Sequence, residues 1–80
     1  MLILMDFKHT NGRVILNVTE QDKEGIIAAS TYPDHKYRYY LADNHLSGDK
    51  RNVAVKYIYP IISGQEKKVE DDWCSIVLLE

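Results

Sequence analysis

Apolar and polar positions alternate on either side of Asn11-Gly12. That dipeptide is the one most favoured in a type I′ hairpin turn, whose two central residues need positive φ. Centring the turn there pairs Thr10 with Arg13, Phe7 with Leu16 and Met5 with Val18. These apolar pairs share one face, which Ile3 extends in one direction and His9 opposite Val14 in the other. The second face receives Lys8 opposite Ile15, and Asp6 opposite Asn17. Turn chemistry and alternation agree, so a hairpin is predicted at the start of the chain.

Residues 19–31 carry two conflicting patterns. Thr19 followed by Asp22 resembles an N-terminal helix cap, and Ala28-Ala29 suits a helix. Gly25, however, falls inside that helix, and the apolar residues form one short cluster from Ile26 to Ala29. The preferred reading takes 22–25 as a tight turn and starts a strand at Ile26. The alternative is one short helix.

Further along, Tyr32-Pro33-Asp34 is a turn signature. Residues 36–42 read as a tyrosine-rich strand, and 43–50 as a loop. Val53 to Tyr59 alternates and is β-branched or aromatic at most positions, which predicts a strand ended by Pro60. Residues 63–72 are polar and read as an exposed connection, and Trp73 to Leu79 as a short buried strand. The sum is a mainly β chain: an antiparallel meander of five or six strands forming a small barrel or sandwich, with α+β as the alternative.

Composition sets the frame for this pattern. A chain of 80 residues makes one globular domain, 1–80, and 45% hydrophobic with 28% charged residues is ordinary for a folded chain. A single cysteine, Cys74, excludes an intramolecular disulfide. With no recognisable leader and no span-length apolar run, the expectation is a cytoplasmic protein, in its own cell or a host cell, without membrane association. Net charge is −2, unevenly spread. Residues 36–56 hold five cations against Asp43 and Asp49, whereas 63–80 hold Lys67 and Lys68 against five carboxylates. The middle is basic and the end acidic.

No motif carries recognisable chemistry. His9, His35 and His45 lack metal-ligand spacing, so no metal or other cofactor is expected. Cys74 lies in the most hydrophobic run, where a thiol is inert. Ser47-Gly48 and Ser63-Gly64 lack the context of a nucleophile elbow. An enzyme is therefore not expected. The leading expectation is a small protein-binding module, an inhibitor, immunity-type or adaptor protein of the kind carried by phages or mobile elements. Its partner-facing candidates are Glu66, Glu70, Asp71, Asp72 and Trp73, an acidic rim beside an aromatic. The alternative is single-stranded nucleic-acid binding. On a strand, Lys36, Arg38 and Tyr40 share one face while Tyr37, Tyr39 and Leu41 share the other. With Lys50, Arg51 and Lys56 nearby, the first set makes a basic, aromatic strip suited to stacking and phosphate contact.

Overall fold

The structure, a computed structural model, describes residues 1–10, 12–32, 38–43 and 45–80. Its first two strands, β1 (Leu2–Phe7) and β2 (Gly12–Asn17), form the expected antiparallel hairpin in a different register. Phe7 pairs with Gly12, Met5 with Val14 and Ile3 with Leu16. Gly12 therefore belongs to β2, and this register leaves four positions rather than two between the strands, so it differs from the one that a two-residue turn at Asn11-Gly12 would set. Asn11 itself lies outside the described residues. On its opposite edge β1 is paired as well. Its ladder to β6 (Cys74–Leu78) ends where Phe7 meets Cys74, and Lys8 N–H closes that end by donating to the Trp73 carbonyl at 2.9 Å. The shift is an even number of residues, so the same face still turns inward, with Phe7 at its outer end left exposed. Ile3, Met5, Val14 and Leu16 are all buried.

Residues 19–31 form a helix, α1 (Glu20–Ser30), which overturns the preferred strand reading. Thr19 closes a full capping box: its Oγ1 accepts from Asp22 N–H at 3.1 Å, and Asp22 Oδ2 accepts from Thr19 N–H at 3.0 Å. Asp22 also reaches across the fold, its Oδ1 accepting from Ala42 N–H at 3.1 Å, and is fully buried. Gly25 is tolerated inside α1 because the Tyr39 ring lies against its backbone.

The predicted strand 53–59 is also corrected. Only β4 (Asn52–Ala54) is extended, paired with β3 (Arg38–Tyr40), and the chain then turns into α2 (Val55–Ile62). Val55, Ile58 and Ile61 are buried together on one helical face. A strand would send Ile58 to the side opposite Val55 and Ile61, splitting that set. Pro60 lies inside α2 rather than at a strand end, and its carbonyl accepts from Gln65 and Glu66 N–H, each at 3.0 Å. Gly64, at φ 81°, makes the left-handed exit that follows many helices. Within 63–72, read as a plain connection, Lys68–Glu70 forms a further strand, β5.

The four-stranded antiparallel sheet runs β2-β1-β6-β5, and β3-β4 is a separate ribbon. Both helices supply the core of one sheet face, where Ile26, Ile58 and Ile61 join Ile3, Leu16 and Ile76. The architecture is α+β, with six strands and two α-helices among the described residues and no closed barrel. The final run is buried as expected, with β6 between β1 and β5. The expected turn at 32–34 falls partly, and the first residues of the strand 36–42 wholly, outside the described residues. Of that strand, Leu41 is buried and Tyr39 half-buried, on the inward side as predicted.

Candidate partner-binding cleft

The turn between β5 and β6 displays the most exposed aromatic side chain in the described structure. Asp71 N–H donates to the Cys74 carbonyl at 3.0 Å, leaving Asp72 and Trp73 at the tip. Asp71 Oδ1 holds this turn from within, accepting from Trp73 N–H at 2.7 Å and Cys74 N–H at 3.0 Å. An aspartate folding back onto backbone N–H groups a few residues on is a common turn-former. Trp73 is left 69% exposed, its ring edge against His9 with centroids 5.8 Å apart.

The other Asp71 oxygen, Oδ2, accepts from the Tyr57 hydroxyl on α2. The two groups perturb each other's ionisation. The Tyr57 hydrogen bond, followed by the Cys74 and Trp73 N–H groups, holds the Asp71 carboxyl below the usual carboxylate range. The same bond, reinforced by burial, pushes Tyr57 up to about 12. The signs fix the expected pH response. A depressed Asp71 contributes stability above the ordinary aspartate pKa of about 4, lost as pH falls through its folded value. A raised Tyr57 contributes stability below about pH 10, the ordinary tyrosine value, lost as pH rises from there towards 12. In Tyr57→Phe the decline in denaturant midpoint between about pH 10 and 12 should shrink relative to wild type. Identical alkaline limbs in the two proteins would show that this pair is not linked to folding.

Beside Trp73 lies a cleft of about 420 Å³. Its apolar lining comes from Met5, Phe7, Ala54 and Cys74, and its polar lining includes Arg38, Asp49, Asn52 and Lys56. Lys56 also lies over the Tyr57 ring, 4.8 Å from its centroid. Asn52 carries a buried Oδ1 with no hydrogen-bond partner, the one such atom among the described residues.

The cleft joins members of two sets that the sequence kept apart. Trp73 comes from the acidic-aromatic candidates, and Arg38 and Lys56 from the basic strip. The remaining candidates disperse. Glu70 forms an ion pair with Lys8 at 3.1 Å, and that contact lowers its pKa. Asp71 is committed to its turn and to Tyr57, while Glu66 and Asp72 stay exposed. Arg51 donates from Nε and Nη2 to the Leu41 carbonyl, at 3.1 and 3.0 Å, and so serves the fold. Lys50 is exposed in the 3-10 turn Gly48–Arg51, and Tyr40 is 64% exposed on β3. Lys36 lies outside the described residues. Phe7, Asp49, Asn52 and Tyr57 were not singled out from the sequence. Tyr57 was hidden by the strand assigned to 53–59 and Phe7 by a register that paired it with Leu16 on the apolar face, while no pattern in the sequence marked Asp49 or Asn52.

Cys74 is free and buried, and burial raises its pKa, so its thiol is a packing group. Among the described residues no group of three or more His, Cys, Asp or Glu is placed to hold a metal ion, and no helix is long and apolar enough to cross a membrane. No protein-family model, no curated protein and no solved structure matches this chain.

Proposed function

We propose that this chain is a non-enzymatic protein-binding module that engages its partner at the cleft beside Trp73. The observation that carries the reading is the exposed indole standing next to an apolar cleft with Arg38 and Lys56 on its wall. Tryptophan, tyrosine and arginine are the residues that most often dominate interface energies, and they do so around a pocket that excludes water. An inhibitor, immunity-type or adaptor role is the form such binding takes when the module acts by occupancy. The nucleic-acid alternative is weakened because Arg51 is engaged by the Leu41 carbonyl and, of the strip's described cations, the cleft gathers only Arg38 and Lys56, few phosphate contacts for a strand.

The test is retention of a partner from native lysate by immobilised wild type and Trp73→Ala, with and without nuclease. A partner retained by wild type and then purified should bind directly in calorimetry, and lose about ten-fold or more in affinity to Trp73→Ala. Trp73 is exposed, so the variant should keep its fold. Retention that vanishes with nuclease, or direct binding indifferent to Trp73, would overturn the proposal.

A further inference from the structure

We infer that the cleft recognises the C-terminal residue of its partner, reading the terminal carboxylate, the side chain attached to it and the amide N–H that precedes it. The inference rests on the cleft being the partner site. Each feature has a counterpart on a different part of the lining. Arg38 and Lys56 are cationic and, among the described residues, neither forms an ion pair. A carboxylate between them gains charge-assisted hydrogen bonds that neither side chain now makes. Met5, Phe7, Ala54 and Cys74 offer an apolar floor. Asn52 lines the cleft too, and its Oδ1 is buried without a donor, so a ligand meets it only as the side-chain amide turns towards the cleft. An incoming N–H gains most at such an atom, because binding then also relieves its desolvation.

A carboxylate, an apolar side chain and an amide N–H converge on a single residue only at the end of a chain. An internal aspartate or glutamate places its carboxylate where the apolar side chain has to be. The cleft volume, about 420 Å³, is at the lower end for ligand sites and suits a chain terminus better than a passing segment. Asp49 adds a preference. Its carboxylate repels a second acid, so an acidic residue just before the terminus is disfavoured.

The probes are two acetylated pentapeptides, Gly-Ser-Gly-Ser-Leu and Gly-Ser-Gly-Ser-Phe, each as the free acid and as the C-terminal amide. Trp73 is the only tryptophan in the chain and lines the cleft, so its fluorescence reports occupancy, with amide chemical shifts of the cleft residues as a second readout. The free acids should bind, with the amides weaker by about ten-fold or more. Arg38→Gln combined with Lys56→Gln should remove the difference between acid and amide. Asn52→Ala should weaken binding of the acids yet leave the melting temperature of the free protein unchanged or higher, since it deletes an acceptor that has no donor. A residue that merely supported the fold would lower both. Equal binding of acid and amide, or binding of neither at millimolar peptide, would overturn the inference. If a Trp73-dependent partner is retained and the free acids fail to compete for it, the cleft remains the partner site and C-terminal recognition is wrong.

Discussion

Asp22→Ala should lower the unfolding free energy by about 3–4 kcal/mol. The carboxylate is fully buried and accepts from Thr19 N–H at the start of α1 and from Ala42 N–H beyond β3. Its charge also raises the pKa of Tyr39, adding to the effect of burial there. One residue thus caps a helix and ties it to the neighbouring ribbon. Alanine removes both acceptors, and with them two part-buried, charge-assisted hydrogen bonds. For an 80-residue chain the total stability is roughly 4–12 kcal/mol, so the loss is a large fraction of the whole. Asp22→Asn offers a graded control. Its carbonyl still serves one donor, but its amide group faces the other with a second donor, so an intermediate loss is expected. Denaturant midpoints at neutral pH measure both. An Asp22→Ala protein within about 1 kcal/mol of wild type would show that the tie between α1 and the ribbon is not needed.

Gly25→Val should cost about 3 kcal/mol, although replacing a helical glycine ordinarily helps. A Cβ at this position would stand 2.1 Å from Tyr39 Cε2 and 2.7 Å from its Cζ. The ring is half-buried, so making room means displacing it from the helix and from Asp22. Gly25→Ala meets the same atoms with one carbon and should cost about 1–2 kcal/mol, the clash exceeding a gain in helix propensity of about 1 kcal/mol. The cause is isolated by repeating the substitution in a Tyr39→Ala background. With the ring gone only the propensity gain remains, and Gly25→Ala should become stabilising. A destabilisation of the same size in both backgrounds would place the cause elsewhere than Tyr39.

The two residues also explain why α1 was misread. Thr19 and Asp22 form a helix-start signature visible in the sequence, and the structure completes it as a capping box. Gly25 argued against a helix because a lone sequence gives only its propensity cost. The compensation comes from Tyr39, fourteen positions away, and contacts of that kind are decided by packing. At 53–62 the ambiguity is one of period. Val53, Val55, Tyr57 and Tyr59 satisfy alternation, while Val55, Ile58 and Ile61 satisfy a helical face, and the residues alone do not choose between them. Burial against the sheet chose the second.

What the sequence by itself determined is the inward set of the first hairpin, the buried last strand and the inert cysteine. Each follows from local alternation or composition, which survive a change of partner strand or a shift of register by an even number of residues. Ile3, Met5, Val14, Leu16 and Ile76 are buried although the hairpin register is not the expected one. The tertiary structure alone decided the hairpin register and the choice of helix for α2. It alone also built the cleft. Phe7, Arg38, Asn52, Lys56 and Trp73 come from four strands or turns and one helix, and no spacing along the chain announces their meeting. Charge patterning separated Arg38 and Lys56 from Trp73 because it sums over neighbours in sequence. The antiparallel sheet brings together residues far apart in the chain, and a binding surface is made of neighbours in space.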